Sequence, residues 1–192
     1  MISIKNLFKY ALLFVIILLT SEGAVSQAPN EITTKYARAS DLHLKGQIDS
    51  ALILTDQFIR ECFEISDVES AIRGVALRGS IYFSQGLYDF ALKNVLICLK
   101  YAQGIQNAKL VADELNSLGC IYLQMGDEVR SKLFLNKSLQ LCKQLGTDEL
   151  GIIFAYNNLG IYHLERDEYN EALHYFNASK KTLTEIDTNS KT

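Results

Sequence analysis

The chain has 192 residues, a net charge of −3, and apolar residues at 48% of its positions. This length suffices for one solenoid domain with a continuous core. The weakly acidic balance and the lack of a basic stripe exclude a nucleic-acid-binding protein, since a phosphate backbone attracts clustered Lys and Arg.

The first 26 residues have the parts of a secretory signal peptide. Two lysines precede an apolar run over residues 10–19, and Ala24 and Ser26 place small residues at the −3 and −1 positions of a cut before Gln27. The run is shorter than the roughly 20 residues that span a bilayer. An uncleaved membrane anchor is the alternative. We predict cleavage after Ser26, no stable membrane insertion of the mature chain, and a periplasmic or secreted location.

A repeat of about 40 residues fills the rest of the chain. Gly79, Gly119 and Gly160 recur at the same point of an apolar pattern, 40 and 41 residues apart. A fourth, degenerate copy lies upstream around Ala51. Recurrence at this period predicts stacked helical pairs, because one pair cannot bury its apolar face alone. The predicted repeats cover residues 31–66, 69–105, 108–146 and 149–186, between a short linker at 27–30 and a polar tail at 187–192.

Each copy predicts two helices joined by a short turn, which makes them antiparallel neighbours. Glycine or alanine is expected where the two helices cross, since a larger side chain there would push the axes apart. Turns are predicted at residues 85–86, 125–127 and 166–168. Glycine in such a turn takes the left-handed conformation that ends a helix.

The pattern resembles the tetratricopeptide repeat. The family's offsets are occupied by a large residue, a Leu-Gly step, a small residue and a second large residue. In the last copy these are Tyr156, Leu159-Gly160, Ala172 and Phe176. The repeat is longer than the common 34-residue unit, and it lacks the proline that closes that unit. The resemblance implies an all-α, right-handed α-solenoid of about four stacked helical hairpins that binds protein or peptide partners.

The residue types of catalytic and metal sites do not form a known motif in this sequence. It contains no glycine-rich phosphate loop, no Gly-x-Ser-x-Gly and no Cys/His metal spacing. His43, His163 and His174 fall at ordinary repeat positions and are interpreted as core or surface residues. We therefore predict a protein that is not an enzyme and that has no cofactor and no metal.

The four cysteines would meet an oxidising space if the chain is exported. Cys62 and Cys142 occupy equivalent positions two stacking units apart, which is too far for a disulfide. Cys98 and Cys120 are predicted on neighbouring helices, so a bridge between them is the alternative to four buried thiols.

In the family, the first helix of each hairpin lines a concave groove, and the matching positions here are the candidate partner-binding surface. Asn116 and Asn157 are equivalent, and stacked asparagines would suit the backbone of an extended peptide. A solvated groove with no ligand is the alternative. The groove positions are Tyr36, Ser40, His43, Arg73, Ala76, Ser80, Phe83, Asp113, Asn116, Gln124, Asn157, Ile161 and Glu165.

We expect an exported, non-catalytic scaffold that binds a protein or peptide. The alternative is the exported sensor or interaction segment of a truncated or split bacterial signalling regulator, of the histidine kinase or helix-turn-helix type. An enzyme accessory subunit or minor hydrolase has less support, because no nucleophile and base are arranged together. The last repeat has no additional capping helix, so end-to-end self-association or a partner at that end is a further expectation.

Overall fold

The computed structural model describes residues 28–146 and 149–189, and the predicted signal peptide lies outside these ranges. Within them the chain forms eight α-helices and no β-strand, which confirms the all-α fold of repeated helical hairpins. The helices are α1 (Ala28–Leu44), α2 (Ile48–Glu64), α3 (Val68–Ser84), α4 (Tyr88–Gly104), α5 (Ala108–Gln124), α6 (Glu128–Leu145), α7 (Glu149–Leu164) and α8 (Tyr169–Asn189).

The helical region extends past both predicted ends of the repeat array. Helix α1 begins at Ala28, inside the predicted linker at 27–30, and α8 continues to Asn189, inside the predicted tail at 187–192. Pro29 is compatible with this start, because the amides of the first helical turn have no intrahelical acceptor to lose.

Each turn between helices contains one residue with a left-handed backbone. Four of these residues are glycines with φ from 67° to 76°, and three are other residues with φ from 54° to 62°. The amide that follows closes the helix end, as where the Asp127 N–H donates to the Tyr122 carbonyl at 2.9 Å. The predicted turns at 85–86, 125–127 and 166–168 are confirmed. The left-handed residues are Gly46, Ser66, Gly86, Gln106, Gly126, Gly146 and Asp167.

Glycine sets the helix crossing in the third and fourth hairpins. A Cβ at Gly119 of α5 would lie 2.6 Å from two side-chain carbons of Leu135 in α6. A Cβ at Gly160 of α7 would lie 2.5 Å from the Phe176 ring in α8. Both distances are well inside van der Waals contact, so these crossings confirm the predicted role of Gly119 and Gly160.

The described helices divide into two compact units, with the boundary after Ile81 in α3. In the first unit, α1 packs against α2, and Ala39, Ala51 and Leu77 belong to its buried cluster. In the second unit, each helix from α4 to α8 packs on the next one along the chain. Helix α5 also packs directly against α7, so the first helices of two successive hairpins lie side by side.

Candidate partner-binding surface

The predicted groove positions lie on or next to the first helices of the hairpins, and none of them is fully buried. The exposed ones are Arg73, Ser80, Gln124, Ile161 and Glu165, and the others are half-buried. The positions up to Ser80 belong to the first unit, and those from Phe83 onward belong to the second. All of these side chains therefore reach the surface of their own unit.

In the first unit, the structure brings together two predicted positions, Tyr36 of α1 and Arg73 of α3. The guanidinium carbon of Arg73 lies 5.0 Å from the centroid of the Tyr36 ring, which is a cation–π contact. The same ring packs against the buried Phe58 of α2, with 5.2 Å between the ring centroids. Tyr36 is therefore held in place by α2 and α3 together.

In the second unit, an asparagine pair links α5 to α7. The Asn158 side-chain amide donates to Oδ1 of Asn116 at 3.0 Å. The repeat alignment had matched Asn116 with Asn157, so the observed partner lies one residue further along α7. Asn157 is half-buried beside it.

A second polar link joins the C-terminal ends of the same two helices. The Gln124 side-chain amide donates to Oε1 of Glu165 at 3.4 Å. The Tyr88 hydroxyl, at the start of α4, donates to Oε1 of Gln124 at 3.5 Å. Gln124 and Glu165 are both predicted groove positions, and the structure brings them together. Tyr88 and Asn158 are additions that the repeat pattern did not indicate.

Helix α7 also presents large apolar side chains to solvent. Leu150 is 59% exposed, Phe154 56%, Ile161 40% and Leu164 46%. Of these residues only Ile161 is among the predicted groove positions. The signal was in the sequence, because α7 carries apolar residues all around its axis and one helix face remains outside the core. The surface formed by α5 and α7 therefore combines hydrogen-bonding amides with exposed hydrophobic side chains.

Helix α5 contains a half-buried carboxyl group that no motif had singled out. Burial, and then the neighbouring Asp113, raise the pKa of Glu114 to about 7. Glu114 occupies the repeat position of Gly74 in α3 and Ala155 in α7. A Cβ at Gly74 would lie 2.6 Å from Ile59 of α2, so in α3 this repeat position faces a close contact with the second helix of the preceding hairpin. An ionised carboxylate is poorly solvated at such a position.

His163 belongs to the core of the last hairpin. Its Nδ1 lies 2.5 Å from Oε2 of Glu168, and its ring stacks on Tyr175 with 5.3 Å between centroids. Hydrogen bonds from His163 and then Arg166 hold the pKa of Glu168 below its ordinary value. His163 is thus a core residue, which is one of the two interpretations that the sequence left open.

All four cysteines are free thiols in the structure, and Cys98 and Cys120 are not bridged. Cys62, Cys98 and Cys142 are buried, and Cys120 is half-buried. Burial raises the pKa of the Cys62 and Cys120 thiols to about 11. Thiols with such a pKa stay protonated at neutral pH and react slowly, so their role here is packing.

Two further properties concern only the part of the chain that the structure describes. There, no three His, Cys, Asp or Glu side chains are grouped closely enough to hold a metal ion. No helix in these ranges combines the length and the apolar character needed to cross a membrane.

These observations define the chain as a protein of repeated α-helical hairpins. It is similar to the solved structure of BtubC (BKLC) from P. vanneervenii, with a TM-score of 0.66 and 17% sequence identity. The match covers 95% of this chain and 73% of BtubC. At this identity the likeness shows the fold alone. No protein-family model and no curated protein matches the chain.

Proposed function

We propose that the chain is an exported, tetratricopeptide-like scaffold that binds a protein or peptide through the first-helix face of its second unit, without catalysis. The observation that carries this proposal is the side-by-side packing of α5 and α7 with the Asn116–Asn158 pair between them. The two helices belong to successive repeats, and their exposed sides form one surface. Repeat proteins use such surfaces for extended partners.

The asparagine pair supports recognition of a peptide backbone. A side-chain amide has two N–H donors and a carbonyl acceptor, and the Asn116–Asn158 bond uses only one donor and one acceptor site. Both side chains are half-buried, so the bond fixes their orientation while part of each amide faces the surface. A backbone N–H and carbonyl of a partner are suitable groups for the capacity that remains.

Export is the second part of the proposal. It rests on the charged, apolar and small-residue segments within residues 1–26, which have the order of a cleavable signal peptide. A scaffold placed outside the cytoplasm would meet its partner in the periplasm or the surrounding medium.

A double replacement tests the binding role. Asn116→Ala with Asn158→Ala removes both members of one hydrogen bond, so neither amide is left without its partner. We expect affinity for a partner recovered from the extracytoplasmic fraction to fall by about 1–3 kcal/mol, at 0.5–1.5 kcal/mol for each lost contact. Helicity by circular dichroism should stay unchanged.

Asn136→Ala is the matched control for this experiment. Asn136 is an exposed asparagine of α6 whose amide donates to the Lys132 carbonyl within its own helix. Its replacement should leave the affinity unaltered. Full-strength binding by the double variant would contradict the proposed function.

A further inference from the structure

Five residues of α7 lie along one line of the helix at alternating intervals of four and three. They are Leu150, Phe154, Asn157, Ile161 and Leu164, and we call them the α7 seam. The four apolar members are 40–59% exposed. This spacing is that of the a and d positions of a coiled coil, where one helix inserts its side chains between those of another.

The remaining sides of α7 already have their packing partners. Gly160 meets Phe176 of α8, and Ala155 and Leu159 belong to the buried cluster that contains Leu135 of α6. The seam is therefore separate from the contacts that hold α7 in the fold. Its apolar side chains are largely exposed, so packing of the core does not account for their presence.

The geometry of the seam favours a helix over an extended peptide. Apolar residues at a and d repeat every 3.5 residues, and a second helix with the same spacing matches them along its whole length. From Leu150 to Leu164 the seam extends for about 21 Å at 1.5 Å per residue. A partner helix of about 15 residues would cover it.

The charges around the seam determine the chemistry of that helix. Glu149 and Glu165 are exposed at its two ends, and Glu165 follows the C-terminus of α7, where the helix dipole is negative. The repeat positions beside the seam on α5 carry Lys109 and Asp113, whose charges cancel. A second copy of α7 would bring like carboxylates together in either orientation, whereas Lys or Arg residues would be attracted.

We propose that the α7 seam binds an amphipathic, cationic α-helix of a partner protein. The apolar residues of that helix lie against the seam at a and d spacing, and its Lys or Arg residues lie beside Glu149 and Glu165. The proposal rests on the proposed function of this face as a binding surface, and it specifies a helix for the segment of the partner that covers the seam. The backbone groups that pair with Asn116 and Asn158, which lie outside the seam, belong to a non-helical segment of the same partner, because a helix hydrogen-bonds its own backbone.

A pair of synthetic peptides tests the proposal on the full chain. The first is a helical peptide of about 15 residues with Leu at the a and d positions and flanking Lys, and the second has the same composition in scrambled order. Fluorescence anisotropy of labelled peptides gives both affinities. We expect the patterned peptide to bind and the scrambled peptide not to bind.

Matched variants locate the contact. Leu164 in the seam and Leu133 on α6 are 46% and 47% exposed, so the same substitution is made at two equally accessible positions, and circular dichroism of the free variants checks that both stay folded. Leu164→Asp should weaken binding roughly tenfold or more, because it places a carboxylate against apolar side chains. Leu133→Asp should bind like the wild type. Glu165→Lys should weaken binding of the Lys-flanked peptide and strengthen binding of a Glu-flanked peptide.

Three results would overturn the helix proposal. They are equal binding of the scrambled peptide, equal binding by Leu164→Asp and the wild type, and self-association that Leu164→Asp abolishes, which would assign the seam to a second copy. If the patterned peptide fails while the Asn116/Asn158 double variant still loses its captured partner, the helix proposal fails and the proposed function stands. If that double variant also keeps its partner, both fail.

Discussion

At the scale of single residues, Gly119 shows how the absence of a side chain determines the packing of a hairpin. A Cβ at this position would also lie 3.1 Å from the backbone nitrogen of Leu135, besides the closer side-chain carbons. A change of rotamer at Leu135 therefore cannot relieve the whole contact. The two helices can approach this closely only with glycine in place.

Gly119→Ala should destabilise the chain by about 1–3 kcal/mol, the usual cost of overpacking a core. Gly104→Ala is the control, because no other atom lies within 4 Å of a Cβ at that helical glycine. We expect Gly104→Ala to be neutral or stabilising, since alanine favours the helix. Denaturant unfolding measures both. Equal midpoints for the two variants would contradict the assigned crossing.

Glu114 should make stability depend on pH. Its pKa of about 7 in the fold lies above the ordinary 4.5, so the folded chain holds this proton more tightly than the unfolded chain. The stabilising contribution is fully present below about pH 4.5 and is lost as the pH rises through 7. Glu114→Gln should therefore reduce the loss of thermal stability between about pH 5 and pH 8.

Two other carboxyl groups titrate outside this range. Asp127 and Glu168 have lowered pKa values, so their protonation affects stability only at more acidic pH. Glu171→Gln, at an exposed residue of α8, is the matched control and should keep the wild-type pH dependence. An unchanged pH dependence in Glu114→Gln would show that the carboxyl does not titrate as described.

The residues that were predictable from sequence are those with a single physical reason to be present. Gly119 and Gly160 recur because no other residue fits the crossing, and a repeat makes this visible. Glu114 was not predictable, since a glutamate in a helix is ordinarily solvated and only the packed structure shows its burial. The repeat alignment did contain one signal of this burial, because Glu114 is equivalent to the small residue Ala155.

At the scale of elements, the turns are the most regular part of the chain. The same left-handed position recurs every 20 or 21 residues, whether or not a glycine occupies it. Gln106, with φ of 54°, carries a side chain in a conformation that normally costs an L-residue about 1–2 kcal/mol. The turn geometry is therefore imposed by the packing of the helices on both sides.

Gln106→Gly should stabilise the chain by about 0.5–1 kcal/mol, the gain from removing left-handed strain less the greater flexibility of glycine when unfolded. Gly126→Ala should do the reverse by about 1 kcal/mol. No other atom lies within 4 Å of a Cβ at Gly126, so its effect comes from the backbone alone. If both variants changed the unfolding free energy in the same direction relative to the wild type, the turn geometry would not explain their stability.

The repeat predicted the helix positions but not the hydrogen-bond partner of Asn116. The alignment matched Asn116 with Asn157, whereas the structure pairs it with Asn158. Consecutive residues lie about 100° apart around a helix axis, and the repeat period alone does not determine whether a side chain contacts its equivalent, as Gln124 does with Glu165, or the residue next to that equivalent. The exposed side of α7 was missed because its apolar residues surround the helix and give no clear stripe.

At the scale of the whole molecule, the proposed function includes export of the chain from the cytoplasm. Protein recovered from the extracytoplasmic fraction should have the mass of a chain that begins at Gln27, because cleavage after Ser26 removes the apolar segment. Intact mass spectrometry measures this directly. Material that retains Met1 in the membrane would contradict cleavage and support an uncleaved anchor.

Under the proposed function, partners bind the face formed by α5 and α7. Photo-crosslinking tests it most directly, with a benzoylphenylalanine placed at Ile161 on that face and, in a second protein, at Leu133 on α6. Both side chains are partly exposed, at 40% and 47%, so the label is accessible at each position. We expect a partner to crosslink from Ile161 and none to crosslink from Leu133. Crosslinking from Leu133 with none from Ile161 would place the binding surface elsewhere and contradict the claim.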